Sequence, residues 1–175
     1  KKELSEIILN ELLNNKFGML CRERYEIGPR ALCNRSLIAR ADKKINHQIM
    51  NKIKEREQWR PLAPVTSHKY FNTYFKGPMN PYMLATQKVI LPKKIPAVCH
   101  VDLSARCQLV SLKDDLICHI LDSLEQNSIP PILINTSLNS KGEPILNSTE
   151  RIIEFFNSFD ELSFLVLDQN IILKN

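Results

Sequence analysis

Apolar side chains that recur every three or four residues predict four helices along this chain. The predicted helices are residues 4–12, residues 42–59 with Asp42 as an acidic N-cap, residues 114–129 with a stop at Pro130, and residues 147–156 with Asn147 and Glu150 as a capping box. Together they account for the helical periodicity of the sequence.

Short apolar runs between turn residues predict strands. These strands are residues 17–21, 62–66, 82–90, 97–101, 106–110, 132–134, 164–167 and 171–173. Residues 97–101 and 106–110 are expected to form a hairpin. Helices alternating with strands indicate a mixed α/β domain, and 175 residues is an ordinary length for a single domain, residues 1–175.

Composition excludes several classes of protein. Hydrophobic residues make up 43% of the chain and charged residues 25%, which argues against a disordered chain. No apolar run approaches the ~18 residues that span a bilayer, and no signal peptide opens the sequence, so we expect a cytoplasmic protein without a membrane partner. Five cysteines without CxxC spacing predict reduced, mostly buried thiols.

Charge is concentrated in one stretch of the chain. Residues 22–60 carry eleven Lys/Arg against five acids, whereas the whole chain has a net charge of only +5. A local basic surface favours a polyanionic ligand such as a nucleotide. The four glycines are isolated, which excludes a Walker loop or a dinucleotide fingerprint, so phosphate must be bound mainly by side chains.

Three segments carry candidate anion-binding residues, and each has a structural alternative. The candidates are Lys54, Arg56 and Arg60 in KIKEREQWRP, Arg30 and Arg35 beside the Gly28-Pro29 turn, and Thr136, Ser137 and Asn139 after a buried strand. Lysine and arginine donors suit a triphosphate, and polar groups at strand ends often bind ligands. The alternatives are a solvated helix face, arginines bound to backbone carbonyls, and an Asx/ST turn.

His100 and Asp102 lie two residues apart on a predicted strand, with Arg106 further along. Such a pair could bind a metal or move a proton, but a structural role is more common, and we predict no metal site. No nucleophile-elbow sequence is present, which disfavours triad hydrolysis.

Five segments, in this order, resemble the C-terminal domain of the NodU/CmcH/TobZ O-carbamoyltransferases. They are YEIGPRALCNRS, IKEREQWRPLAPV, PYM at residues 81–83, IPAVCHVDLSARCQLV and PPILINTSLNSKGEPI. The resemblance runs from about residue 16 to the end of the chain. It implies a YrdC-like fold, a twisted mixed sheet with flanking helices and an electropositive concave face.

The resemblance also implies an activity. In that family this domain forms carbamoyl-adenylate and pyrophosphate from ATP, supplied with Mg²⁺, and carbamate derived from carbamoyl phosphate. A separate N-terminal domain with an actin-like fold, absent from this sequence, then transfers the carbamoyl group to a hydroxyl. ATP, carbamoyl phosphate and that N-terminal domain are therefore the expected partners, and nucleic acid is not.

Site residues follow from the matched motifs. Lys54, Arg60 and Arg106 match the family's catalytic cations, and Arg30, Arg35, Arg56, His100, Thr136, Ser137 and Asn139 fall in its substrate-binding segments. Three residues depart from the pattern: Glu23 and Cys33 stand at usual glycine positions, and Leu138 replaces phenylalanine. Because glycines are often selected for positive φ, we expect the backbone near residues 23 and 33 to differ.

Two alternative functions use the same residues. A non-catalytic nucleotide- or RNA-binding module would use the basic surface, but only Tyr25 and Trp59 are interleaved with the basic residues, which disfavours stacking on single strands. A freestanding threonylcarbamoyl-adenylate synthase is disfavoured because the GPRAL and HVD segments resemble the O-carbamoyltransferases.

Overall fold

A computed structural model describes residues 2–174, with side chains from residue 3 onward. The helices are α1 (Lys2–Leu13), α2 (Lys44–Ile53), α3 (His68–Tyr74), α4 (Asp115–Gln126) and α5 (Thr149–Ser158). The strands are β1 (Phe17–Cys21), β2 (Arg35–Arg40), β3 (Ala63–Thr66), β4 (Phe75–Lys76), β5 (Gln87–Val89), β6 (Ser104–Ala105), β7 (Gln108–Leu109), β8 (Leu133–Ser137), β9 (Leu162–Leu167) and β10 (Asn170–Leu173).

Seven strands form one mixed sheet in the order β10-β9-β1-β2-β8-β3-β7. The β1–β9 and β3–β7 pairs are parallel, and the other pairs are antiparallel. A second sheet contains β4, β5 and β6. The predicted mixed α/β class is confirmed.

Strand direction brings the candidate site residues to one edge of the large sheet. β2 begins at Arg35 and β8 ends at Ser137, and these two strands are antiparallel neighbours. β3 is antiparallel to β8 and begins shortly after Arg60, while β7 is parallel to β3 and begins shortly after Arg106. These four residues are distant in sequence, but they therefore lie near the same edge of the sheet: Arg35, Arg60, Arg106 and Ser137.

Apolar helix faces cover the sheet and explain why the periodic segments fold as predicted. In α4, Ile117, Ile120, Leu121 and Leu124 are fully buried, and α1 packs against α4 and β9. The Asp114 side chain accepts the Ile117 backbone N–H at 3.3 Å and caps α4, as expected. None of the helices in the described chain has the length and apolar character needed to cross a membrane.

Two predicted helix caps are wrong. Asp42 does not cap α2, because its carboxylate binds the Arg40 guanidinium at 2.6 and 2.9 Å. The N-cap position belongs to Lys43, which makes no side-chain cap. At α5 the cap is Ser148 rather than Asn147, and its hydroxyl accepts the Arg151 backbone N–H at 3.3 Å.

The predicted hairpin of residues 97–101 and 106–110 is also wrong. Residues 97–101 form no strand, since Asp102 organises a turn by accepting both the backbone N–H and the hydroxyl of Ser104. β7 pairs in parallel with β3 instead. The predicted strand at residues 82–90 shortens to β5, and β2 and α3 were not predicted.

Candidate active site

Lys54 owes its position to the way α2 ends. The Glu55 N–H bonds to the Lys52 carbonyl and the Arg56 N–H to the Asn51 carbonyl, while Glu55 adopts a left-handed φ of 48°. This is a Schellman motif, which usually places glycine at the left-handed position. The motif stops the helix before the predicted limit at residue 59 and sets Lys54 as its C-cap.

The Lys54 ammonium lies against the end of β8. Its Nζ donates to the backbone carbonyls of Ser137 and Asn139 at 2.5 and 2.6 Å, and to Asn139 Oδ1 at 2.5 Å. The Ser137 hydroxyl donates to the same Oδ1 at 2.7 Å. Two segments that carry separate predicted anion-binding residues, more than 80 residues apart in sequence, are therefore in direct contact.

Burial strongly affects this lysine. Only 5% of Lys54 is exposed, and burial, followed by the charge of Arg56, lowers its pKa to about 7. Three oxygen acceptors at the same time stabilise the ammonium form. The Asn139 amide also donates to the Glu143 carbonyl at 2.6 Å, which closes the turn after β8. Thr136 is half-buried and makes no side-chain hydrogen bond within residues 2–174.

Arg56 and Arg60 take different positions. The Arg56 Nε donates to Asn51 Oδ1 at 2.6 Å, and Asn51 Nδ2 donates to the Arg60 carbonyl at 3.0 Å, so Arg56 and Asn51 brace the connection to β3. The Arg60 guanidinium is half-exposed, pairs with Glu57 at 2.8 Å and lies 5.8 Å from the Trp59 ring. Arg60 is therefore accessible to an anion, whereas Arg56 is largely occupied.

Arg30 and Arg106 form a pair of cations without partners. Neither makes an ion pair or side-chain hydrogen bond in the part of the chain that the structure describes. Burial, followed by the charge of Arg30, lowers the pKa of Arg106, so the two guanidinium groups lie close enough to repel each other. Like charges held together in this way favour binding of an anion.

The hydrogen bonds that Arg35 makes all go to backbone carbonyls of the β1–β2 connection. Its Nη1 donates to the Arg22 and Asn34 carbonyls at 2.9 and 3.1 Å, and its Nη2 to the Glu23 carbonyl at 3.4 Å. Its buried Nε has no partner within the described residues. The structural alternative, arginine on carbonyls, thus describes these contacts, and a substrate role for Arg35 stays a prediction.

The β1–β2 connection keeps left-handed backbone at both unusual positions. Glu23 has φ 53° and Cys33 has φ 75°, although neither is glycine. Cys33 is fully buried, with its N–H on the Ser36 hydroxyl at 3.0 Å. The backbone conformation that glycine favours is thus present at these two residues.

One acidic residue that the sequence motifs did not indicate, Glu26, shapes the same connection. The Glu26 carboxylate accepts the backbone N–H groups of Leu32, Asn34 and Arg35 at 2.6, 2.9 and 3.1 Å. The sequence feature that could have indicated this role is an acidic residue shortly before a Gly-Pro turn, within an otherwise basic stretch. Glu26 orders the segment that carries Arg30.

The side-chain contact of His100 is consistent with a structural role. Its Nδ1 lies 3.1 Å from Asp102 Oδ1, the oxygen that also accepts from Ser104. Bonds from Ser104 are the main reason why the pKa of Asp102 is lowered. Across residues 2–174 no three His, Cys, Asp or Glu side chains gather in a group that could hold a metal ion.

All five cysteines are free, as predicted from their spacing. Cys21, Cys33 and Cys107 are buried, and Cys99 and Cys118 are partly buried. Burial raises the pKa of Cys21 and of Cys33 to about 12 and also raises that of Cys107. None of these three thiols is a ready nucleophile.

Comparison with known proteins connects this arrangement to a family. The model of the family described as "Carbamoyltransferase C-terminus" matches residues 9–174. The chain belongs to this family. It is 39% identical over 140 residues, 77% of its length, to the 3'-hydroxymethylcephem-O-carbamoyltransferase of Amycolatopsis lactamdurans, and 35% identical over 148 residues, 82% of its length, to Nodulation protein U of Sinorhizobium fredii. It spans 26% of each relative.

Solved structures show the same fold at low identity. Full-length HypF, in a phosphate- and nucleotide-bound form, superposes with a TM-score of 0.64 at 16% identity, covering 98% of this chain and 25% of HypF. P. abyssi Sua5, complexed with L-threonine, gives a TM-score of 0.63 at 14% identity, covering 96% of this chain and 47% of Sua5. The carbamoyltransferase C-terminal domain described here thus has the YrdC-like fold that the family resemblance implied.

Proposed function

We propose that this carbamoyltransferase C-terminal domain forms carbamoyl-adenylate from ATP and carbamoyl phosphate, as one part of an O-carbamoyltransferase that carbamoylates a hydroxyl. Water hydrolyses the bond between the carbamoyl group and the phosphate of carbamoyl phosphate, which gives carbamate and inorganic phosphate, and a carbamate oxygen then attacks the α-phosphorus of ATP. The bond between the α-phosphorus and the bridging oxygen breaks, and pyrophosphate leaves with Mg²⁺. Transfer to the hydroxyl belongs to the N-terminal domain of the whole enzyme.

The contact between Lys54 and the turn after β8 carries this proposal. A buried ammonium fixes Ser137 and Asn139 at the sheet edge where Arg60 and Arg106 also lie. Adenylyl transfer needs fixed donors and cations around phosphate oxygens whose charge changes in the transition state. Relatives of this chain are named as carbamoyltransferases, which supplies the acyl group of the proposed reaction.

The cations have distinct proposed roles. Arg60 and Arg106 are exposed, so they can offset the charge of the triphosphate and of the departing pyrophosphate. Arg30 adds a third cation beside Arg106. Lys54 keeps the Ser137 hydroxyl and the Asn139 amide in one position, where reorganisation during the reaction is small.

Pyrophosphate release tests the proposal. The chain is incubated with ATP, Mg²⁺ and carbamoyl phosphate, and we expect release in the wild type and its loss in Lys54→Ala and Arg60→Ala. Lys52→Ala is the matched control, since Lys52 lies on the same helix, is 72% exposed at its side chain and pairs with Glu161. It should retain activity.

Two other outcomes are informative. Pyrophosphate release that is equal in wild type, Lys54→Ala and Arg60→Ala contradicts the residue assignment. ATP binding without any pyrophosphate release, with and without carbamoyl phosphate, supports a non-catalytic binding module instead.

A further inference from the structure

Asn135 is a polar residue in the middle of the large sheet. It lies on β8 between Ile38 of β2 and Ala63 of β3, and only 1% of it is exposed. Asparagine is a poor strand former and is seldom buried. Its Oδ1 is also buried without a hydrogen-bond partner among the described residues, which lowers the stability of the fold. A side chain that breaks three rules of core design indicates a role beyond folding.

The Asn135 amide nitrogen joins two other segments of the candidate site. Nδ2 donates to the Ala31 backbone carbonyl at 3.0 Å and to Gln108 Oε1. The Ala31 carbonyl can only accept a hydrogen bond, so the group of Asn135 that faces it is the NH₂. The same Gln108 oxygen also accepts from the Cys33 thiol at 3.6 Å. One NH₂ group therefore links the β1–β2 connection to β7.

Both linked segments carry an unpaired arginine. Arg30 directly precedes Ala31, and Arg106 precedes Gln108 by two residues. Burial, followed by the charge of Arg30, lowers the pKa of Arg106, and within the described chain no side chain pairs with either guanidinium. Two like charges without acids between them repel each other. Hydrogen bonds between their backbone segments oppose this repulsion.

Asn135 also belongs to the strand end that binds the Lys54 ammonium. Ser137 follows Asn135 by two residues, so both side chains lie on the same face of β8. The Ser137 carbonyl accepts from Lys54 Nζ at 2.5 Å. The strand therefore fixes Asn135 relative to Lys54, and the Asn135 amide fixes the two arginine segments relative to that strand.

We propose that Asn135 is a positioning residue, whose amide holds the segments of Arg30 and Arg106 together against the repulsion of their guanidinium groups, so that one anion can contact both. Asn135 itself acts on the protein segments and not on the anion. The proposal rests on the proposed function only in the choice of pyrophosphate, the expected product, as the anion that tests it.

Pyrophosphate binding, measured by titration calorimetry, tests this role without any reaction. Asn135→Leu replaces the amide by an apolar side chain with the same branching. It should raise the Kd for pyrophosphate about tenfold, because the two arginines are no longer held in one arrangement before the anion arrives. The melting temperature should change little, since the substitution also removes the unpartnered Oδ1. An unchanged Kd in the folded variant, or a wild type that does not bind pyrophosphate, contradicts the proposal.

Asn46→Leu is the matched control. Asn46 lies on α2, is also completely buried, and donates to Asn15 Oδ1 and to the Arg40 carbonyl at 2.8 and 2.9 Å. The Asn15 amide donates back to Asn46 Oδ1 at 3.0 Å, so the substitution breaks bonds at both ends of the amide. It should lower the melting temperature and leave the Kd for pyrophosphate unchanged. If both asparagine variants raise the Kd equally, the effect is a general loss of stability and the proposal is wrong.

Removal of one charge separates positioning from a purely structural role. Arg30→Gln should itself raise the Kd for pyrophosphate. Adding Asn135→Leu to Arg30→Gln should raise the Kd by less than about twofold more, because no repulsion between guanidinium groups is left to oppose. A further rise of about tenfold in the Arg30→Gln chain would show that Asn135 acts by another route, and would overturn the proposal.

Gln108→Met decides the question if Asn135→Leu does not fold. Gln108 is 4% exposed and supplies the second acceptor of the Asn135 amide. Methionine fills similar space without that acceptor, so the Kd for pyrophosphate should rise as expected for Asn135→Leu. A Kd equal to that of the wild type rejects the proposal.

The positioning role and the proposed reaction can fail separately. If the wild type releases pyrophosphate from ATP but the Kd for pyrophosphate is the same in wild type, Asn135→Leu and Gln108→Met, the positioning role is wrong and the function stands. If these variants weaken pyrophosphate binding but the wild type releases none from ATP and carbamoyl phosphate, the positioning role stands and the function is wrong.

Discussion

Lys54 and Asn139 are joined twice, since the Lys54 Nζ donates to the Asn139 backbone carbonyl at 2.6 Å and to its side-chain Oδ1 at 2.5 Å. A third bond reaches the Ser137 carbonyl. All three ammonium protons therefore have acceptors inside the protein. The C-terminus of α2 and the turn after β8 are held together by one side chain.

The first prediction concerns this coupling. We expect Lys54→Met and Asn139→Ala to destabilise the chain non-additively in urea unfolding, with a coupling energy of about 0.5–3 kcal/mol, because each single change removes the same bond. Lys52→Met combined with Asn139→Ala is the control pair and should be additive, since Lys52 pairs with Glu161. Additive effects of the Lys54 and Asn139 changes would show that the bond contributes little.

The second prediction concerns pH. Burial, then Arg56, lowers the pKa of Lys54 to about 7, from 10.5 in an exposed lysine. Between these values the unfolded chain binds the additional proton, so the stability of the wild type relative to Lys54→Met should rise with pH, by at most about 1.4 kcal/mol per pH unit. Below pH 7 Lys54 is protonated in both the folded and the unfolded chain, so the stability difference between wild type and Lys54→Met should not change with pH.

Urea unfolding of both chains from about pH 6 to pH 9 measures this difference. Other titrating groups are common to the two chains, so their effects cancel in the comparison. A difference that stays constant across the whole range would mean that folded Lys54 keeps an ordinary pKa.

Sequence predicted the parts of the fold whose cause is local. The apolar face of α4 and its Asp114 cap are visible within about a dozen residues, and the structure confirms both. β2 was missed because Leu37, Ile38 and Ala39 are all buried, so the strand shows no alternation between apolar and polar residues. The parallel β3–β7 pairing depends on contacts between distant segments, which local pattern cannot supply.

Part of the candidate site was likewise predicted from sequence, and part was not. Lys54, Ser137 and Asn139 were selected from two separate segments, and the structure brings them into contact. The spacing of the basic residues could not predict that Arg56 hydrogen-bonds Asn51 whereas Arg60 is half-exposed. That difference arises from the Schellman turn at Glu55, a residue type that rarely marks such a turn.

The third prediction follows from that turn. Glu55 has φ 48° and is exposed, so Glu55→Gly should raise the free energy of unfolding by about 0.5–1 kcal/mol, after subtracting the entropy that glycine loses on folding. Glu55→Ala is the matched control, because alanine removes the carboxylate but retains the strain. Equal gains in both variants would assign the effect to charge rather than to backbone conformation.

The fourth prediction concerns the thiols. Ellman's reagent should react faster with Cys99 and Cys118 than with the other three cysteines in the native chain, and with all five in denaturant. Burial raises the pKa of all five thiols, but Cys99 and Cys118 are only partly buried, so the reagent can reach them. A chain with Cys99→Ser and Cys118→Ser should show no rapidly reacting thiol when native. Rapid labelling of that double variant would show that a buried cysteine is accessible.

The last prediction concerns the contact between β1 and β9. Gly18 and Phe164 are partners in this parallel pair, and a Cβ on Gly18 would lie 2.1 Å from two carbons of the Phe164 ring. Gly18→Ala should therefore lower the free energy of unfolding by about 1–3 kcal/mol, the usual cost of overpacking a core. Phe164→Leu removes the obstructing ring and leaves a cavity, so it should also destabilise when made alone. Combined, the two changes should cost less than the sum of their separate effects in urea unfolding, because the added methyl group enters the space that the ring leaves. If the double variant is destabilised by the full sum of the two separate costs, the Phe164 ring does not cover Gly18.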